Sequence, residues 1–163
     1  MGKQGGDAKP WAAALGRVPS GLFVLTARHE DGRETGMLAS WVQQCSFDPP
    51  QVSFALRKGR ELVTWLTEGA AVVLNVVPEG GKALVAHFGK GFEPGEPAFD
   101  GLAVDRKLAS APVLTAALAY LDCRVSGSAD ASDHVLFLAE VVGGAVLHEG
   151  RPTVHLRKSG LHY

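Results

Sequence analysis

The chain has 163 residues, of which 46% are hydrophobic and 20% are charged, as in one ordinary globular domain. Its formal net charge of −1 argues against a general affinity for nucleic acid or anionic lipid, since both need a basic excess. The two cysteines, Cys45 and Cys123, form no C-x-x-C pair, and neither a secretory signal nor a membrane-spanning run is visible. We therefore expect a cytoplasmic protein, with a flexible tail over residues 1–9 and one domain over residues 10–163.

The first half of the chain predicts short strands and short helices. Pro10 is expected to open a helix over residues 11–15, because proline in the first turn costs no hydrogen bond. Two extended segments on either side of Asp31-Gly32 predict a hairpin. The apolar spacing further predicts strands over residues 51–56 and 71–77 and helices over residues 61–68 and 82–88.

The second half of the chain predicts a loop followed by two long strands. Residues 90–101 carry glycines, prolines and charges, which are typical of a loop. Apolar and polar residues alternate over 117–126 and 135–147, with a polar turn over 129–134, so these segments should pair antiparallel. Six or seven strands with two or three short helices favour a mainly β fold, a closed or partly closed antiparallel barrel.

Several common motifs are absent from the sequence. Gly81-Lys82 has Val76 where a phosphate-binding loop needs its first glycine and Ala83 where it needs a hydroxyl. The segment 89–94 does not continue as a dinucleotide-binding fingerprint. The six histidines form no H-E-x-x-H motif, and no metal site is expected.

A run of small and hydroxyl residues predicts a binding site for a flat aromatic ligand. Residues 36–48 lie between strand-like segments and end at Pro49-Pro50, which lets the backbone approach a ring closely, and a flavin is the ring that we expect. Ser40, Cys45 and Ser46 could donate hydrogen bonds to such a ligand, or could be satisfied by nearby backbone. Trp41 could cover a ring face or belong to the core.

Charged residues that could serve this ligand have simpler explanations as well. Lys58 and Arg60 follow a predicted strand and precede a predicted helix, so they could hold a phosphate monoester or could be solvated loop charges. His134 could be an imidazole at the mouth of the site or an ordinary turn residue.

Three short motifs occur together in the chain: Gly36-Met37-Leu38-Ala39-Ser40, Ser46-Phe47-Asp48-Pro49-Pro50 and Asp133-His134. Together they resemble the pattern of the flavin reductase-like family of FMN-binding split barrels. The segments 37–44, 58–60, 87–96 and 153–163 are also similar to the flavin reductase domain that ends the flavodiiron proteins of oxygenic phototrophs. We expect this chain to correspond to the reductase module alone, without the diiron and flavodoxin modules of those larger proteins.

The resemblance implies an antiparallel Greek-key split β-barrel that forms a homodimer, with FMN at or near the subunit interface. It implies that a strand of Leu38, Ala39, Ser40 and Trp41 lies along the isoalloxazine. It implies that Cys45, Ser46, Lys58 and Arg60 hold the ribityl chain and phosphate, that His87 and Phe88 close the pocket, and that His134 contacts the nicotinamide of the reductant. Leu38 stands where many relatives have threonine, so only a backbone contact can remain there.

The function that these features predict is an FMN-dependent oxidoreductase that takes a hydride from NADH or NADPH. The electrons would pass to free flavin or to a protein acceptor. One alternative is an FMN-binding electron-transfer flavoprotein that is reduced by a partner protein. Another is a split barrel that binds haem or a pyridoxine phosphate instead of flavin. Neither a nucleic acid nor a membrane is expected as a partner.

Overall fold

The computed structural model describes residues 9–162 and folds them around a seven-stranded antiparallel sheet. The helices are α1 (Pro10–Gly16), α2 (Glu61–Trp65) and α3 (Lys82–Gly89). The strands are β1 (Ser20–Gly21), β2 (Phe23–Arg28), β3 (Glu34–Ala39), β4 (Val42–Phe47), β5 (Pro50–Arg57), β6 (Ala71–Val76), β7 (Val104–Asp105), β8 (Val113–Leu114), β9 (Ala119–Ala131), β10 (His134–Val146) and β11 (Val154–His155). The main sheet has the order β3-β2-β6-β9-β10-β5-β4, while β1 pairs with β11 and β7 with β8.

The mainly β class with three short helices is thus confirmed. Most element ends lie within two residues of the prediction, and the larger differences are at the β9–β10 turn and at α2. The turn predicted over residues 129–134 is mostly strand, because Ser132 takes a left-handed φ of 64° and its N–H donates to Asp130 Oδ1 at 3.0 Å. Helix α2 ends at Trp65 instead of residue 68, because the following residues dock on β9, where the Gly69 N–H donates to the Val125 carbonyl at 2.8 Å.

Apolar side chains of the described residues form three clusters, one in the barrel interior, one under α3 and a smaller one between β6 and β8. The interior cluster includes Leu25, Leu74 and the stacked rings of Phe54 and Phe137, whose centroids are 5.3 Å apart. Strands β2 and β6 are buried on both faces, so the second face of β2 contributes Val24 to the cluster with α3, and the second face of β6 contributes Val73 to the cluster with Val113 of β8. Burial on both faces explains why residues 71–77 read as a continuous apolar run rather than an alternating one.

Helix α3 packs closely on β3 at a glycine. A Cβ built on Gly36 would lie 2.8 Å from Cε1 of the buried Phe88 ring, so only glycine leaves room for that ring. This contact places α3 beside the end of β3, where the candidate site begins.

Within residues 9–162, no helix is long and apolar enough to cross a membrane. The tail predicted over residues 1–9 lies outside the described residues except for Lys9.

Candidate functional site

Two neighbouring cavities open where the chain passes from β3 to β4. The first has a volume of about 330 Å³ and the second about 390 Å³. The first is lined by Leu22, Met37, Leu38, Ala39, Ser40, Trp41, Ala55, Leu56, Arg57, Arg60, Val85, Phe88, Gly89, Gly91 and His155. The second is lined by Trp41, Arg57, Asp133, His134, Arg157, Gly160, Leu161 and His162. Trp41 and Arg57 belong to both walls.

The first cavity is built on the end of β3 and the crossing that follows it. Strand β3 ends at Ala39, so Ser40 and Trp41 form a crossing to β4 and not the last residues of a strand as predicted. The crossing is anchored to β5, because the Ala55 N–H donates to the Trp41 carbonyl at 3.1 Å. Small side chains at Ala39 and Ser40 allow close approach to the backbone. This ribbon of main-chain groups, with apolar neighbours such as Leu38, suits the face and polar edge of a flat ring.

Arginines supply the positive charge of the first cavity. Arg60 is half-buried, and its Nη1 lies 3.8 Å from Glu93 Oε1, a long and weak ion pair. A Cβ on Gly91, which has a φ of 77°, would lie 3.2 Å from the same Nη1, so the glycine leaves room for the guanidinium. Arg60 therefore lies at the cavity with most of its hydrogen-bonding capacity available to an anion.

Lys58, in contrast, lies outside both cavity walls. Its ammonium bonds to the Asp130 carboxylate and so lowers the pKa of Asp130. Arg57 lies at the cavity instead of Lys58, and the sequence analysis did not identify it. The signal was available, because Val52, Phe54 and Leu56 face the core and so Arg57 must face the other side of β5.

Helix α2 offers less to an anion than the sequence suggested. It has only five residues, and Glu61 in its first turn is bound to Arg33 with an Nη1 to Oε1 distance of 2.9 Å. The predicted phosphate site therefore depends on guanidinium groups and not on the helix terminus.

Trp41 separates the two cavities. It is half-buried, neither a core residue nor fully exposed, and its ring contacts the His134 ring with centroids 4.8 Å apart. The Arg157 guanidinium lies 5.0 Å from the Trp41 ring centroid. Three side chains from distant parts of the sequence thus form one wall.

His134 is the first residue of β10 and is only 6% exposed, although the sequence placed it at a hairpin tip. Its Nδ1 donates to Asp133 Oδ1 at 2.7 Å, and this hydrogen bond lowers the pKa of Asp133. The bond fixes the orientation of the ring in the wall of the second cavity.

Four of the ten residues predicted to bind the cofactor, Lys58 among them, do not line the first cavity. Cys45 is exposed, and it shares the outermost strand β4 with Ser46. The His87 ring turns toward the 90–101 loop, where its Nε2 donates to the Ala98 carbonyl at 2.8 Å. The first cavity brings together Leu38, Ala39, Ser40, Trp41, Arg60 and Phe88, but not Cys45, Ser46, Lys58 or His87. The ligand contacts of all ten stay predictions, and the geometry of the single chain supports only the first six.

A barrel with this strand order and a cavity at the β3–β4 crossing defines the class of the protein as a split barrel. The chain belongs to the flavin reductase-like family, since the family model described as "Flavin reductase like domain" matches residues 15–160. It is 40% identical over 152 residues to diflavin flavoprotein A 1 of Synechocystis sp., an alignment that covers 92% of this chain and 26% of that protein. The chain thus spans about a quarter of the length of this curated relative.

Solved structures share the fold over nearly the whole chain. The flavin reductase of styrene monooxygenase from Pseudomonas putida S12 is 28% identical, with a TM-score of 0.76 and coverage of 91% of this chain and 93% of that one. The NADH:FAD oxidoreductase of Streptomyces globisporus C-1027 is 24% identical, with a TM-score of 0.78 and coverage of 90% and 86%, and shows similarity of fold alone. The predicted split barrel and family are confirmed. The described residues contain no cluster of three or more His, Cys, Asp or Glu side chains that could hold a metal ion.

Proposed function

We propose that this chain is an FMN-dependent oxidoreductase that accepts a hydride from NADH or NADPH and passes electrons to free flavin or to a protein acceptor. The observation that carries this proposal is the first cavity, which residues Ala39–Trp41 line together with Arg60. Its volume of about 330 Å³ is within the range of small-molecule sites. A ring and an anion on one molecule would match both features.

The residues present fit FMN. Main-chain N–H and carbonyl groups at residues 38–41 can bond the polar edge of the ring, and Leu38 and Phe88 supply apolar contacts. Arg60, with Arg57 beside it, would hold the phosphate through charge-assisted hydrogen bonds. Bound FMN would supply the hydride acceptor and the electron carrier, chemistry that no side chain provides. The protein orients this group and keeps water from one of its faces.

The second cavity fits the reductant. It adjoins the first at Trp41, so a nicotinamide placed between them would approach the ring of the flavin. His134, fixed by Asp133, could orient the nicotinamide from the wall. We assign His134 a positioning role and propose no protein nucleophile.

Exposed apolar side chains support a homodimer. Phe47 on β4 is 91% exposed, and Leu136 and Leu138 on the outer face of β10 are more than a third exposed. Light scattering on the purified protein should give twice the chain mass, and a monomer at micromolar concentration would contradict this part of the proposal.

A second candidate is an FMN-binding electron-transfer flavoprotein that a partner protein reduces. It is favoured by the observation that the chain matches only a quarter of the length of the diflavin flavoprotein, whose remaining parts could deliver electrons. Both candidates use the first cavity in the same way, and they differ in the source of electrons.

Anaerobic mixing of the FMN-loaded protein with NADH or NADPH separates the two candidates. The oxidoreductase should lose its visible flavin absorption rapidly without any partner. A flavin that stays oxidised with both nucleotides would favour the electron-transfer protein. A haem or pyridoxine phosphate spectrum in the protein as purified would contradict both.

A further inference from the structure

We propose that Arg157 is a binding residue for the phosphate groups of the pyridine nucleotide, and that the second cavity is their site. Arg157 belongs to a C-terminal strap, residues 156–162, that forms one wall of this cavity. The inference deepens the proposed function and depends on it, because it concerns the nucleotide that would reduce the flavin.

The described lining of the second cavity carries two guanidinium groups and one carboxylate. Arg57 and Arg157 both line it, and neither forms a salt bridge with a carboxylate in residues 9–162. Asp133, the one carboxylate among the described lining residues, accepts the hydrogen bond of His134, and after this bond the charge of Arg57 also lowers its pKa, so Arg157 is the guanidinium without a carboxylate partner in residues 9–162. Arg57 lines both cavities, whereas Arg157 lines the second cavity alone, and its planar guanidinium fork matches the charge and the oxygens of a phosphate group.

Backbone contacts hold the strap in place independently of the Arg157 side chain. The Arg157 N–H donates to the Gly16 carbonyl at 3.2 Å, and the Gly160 N–H donates to the Ala12 carbonyl at 2.6 Å. Two glycines permit this close approach, since a Cβ on Gly16 would lie 2.6 Å from the Arg157 oxygen and one on Gly160 would overlap Leu15. The strap is therefore fixed to α1 while the guanidinium points to the cavity.

The shared wall explains how one nucleotide would use both cavities. The Arg157 guanidinium lies 5.0 Å from the centroid of the Trp41 ring, and Trp41 also lines the first cavity. Phosphates held by Arg157 would lie in the second cavity with the nicotinamide directed across Trp41. Arg60 lines the first cavity but not the second, and Arg157 lines the second but not the first. The two arginines thus serve different ligands.

The test compares Arg157→Ala with Lys158→Ala in the FMN-loaded protein. Lys158 is the next residue of the same strap and is exposed, and it lines neither cavity, so its removal changes the net charge equally. Calorimetric titrations with NAD⁺ and with NADP⁺ measure nucleotide binding, and flavin fluorescence measures FMN binding. We expect Arg157→Ala to weaken nucleotide binding by about tenfold to a hundredfold, and Lys158→Ala to change it by less than about twofold.

Each contrary outcome has a distinct meaning. Equal nucleotide affinity in the two variants would overturn the role of Arg157 and leave the proposed function standing. Loss of FMN from Arg157→Ala, with FMN retained in Lys158→Ala, would assign the arginine to the flavin phosphate and so also overturn the inference. A wild-type protein that holds FMN and binds neither nucleotide would overturn both proposals.

Discussion

Replacement of Arg60 by alanine should release FMN without unfolding the protein. The guanidinium lines the first cavity, and its one ion pair in the described residues, with Glu93, is 3.8 Å long. Charge-assisted hydrogen bonds to a phosphate contribute roughly 1.5–3 kcal/mol, so FMN affinity should fall by roughly 10- to 150-fold. The lost pair with Glu93 is partly exposed and should change the free energy of unfolding by about 1 kcal/mol or less.

Lys58→Ala is the matched control for this variant. Lys58 lies two residues away and has the same charge, but its ammonium is bound to Asp130 outside the cavity. Quenching of flavin fluorescence on binding measures FMN affinity, and thermal unfolding without flavin measures stability. An Arg60→Ala protein that binds FMN as tightly as wild type, or a Lys58→Ala protein that loses it equally, would refute the assignment of the phosphate to Arg60.

Two further predictions concern packing and thiol chemistry. Gly36→Ala should lower the free energy of unfolding by about 1–3 kcal/mol, because the new Cβ would lie 2.8 Å from the Phe88 ring. Since Phe88 also lines the first cavity, the same variant should bind FMN more weakly. An unchanged denaturant midpoint together with an unchanged FMN affinity would contradict this prediction. In a Cys45→Ser protein, Cys123 should not react with a thiol reagent at pH 8 until denaturant is added, because burial raises the pKa of its thiol to about 12. Rapid reaction of the native protein would contradict this prediction and show that the core opens.

The pattern of strands could be predicted because each face of the sheet has its own periodicity. Alternation over residues 117–126 and 135–147 identified β9 and β10, and the valine-rich run identified β6. The ends of helices and strands were harder to predict, since they depend on contacts with residues distant in sequence. Helix α2, for example, ends at Trp65 because residues after it dock on β9, and no local signal encodes that contact.

The candidate site was predicted only in part, because some of its residues meet through distant contacts. Of the run predicted over residues 36–48, residues 37–41 line the first cavity, and their contact with a ligand stays a prediction. Lys58 and Arg57 are neighbours in sequence, and the alternation along β5, which ends at Arg57, puts Arg57 at the cavity and leaves Lys58 outside it. The approach of Arg157 to Trp41 joins residues more than a hundred positions apart and follows from the packing of the strap on α1.

A crystal structure of the protein with FMN is the most direct test of the central claim. The account predicts that the isoalloxazine lies in the first cavity against residues 38–41, with the phosphate bound by Arg60. Flavin bound at another surface, or a phosphate held by Lys58 with Arg60 remote from it, would contradict the account.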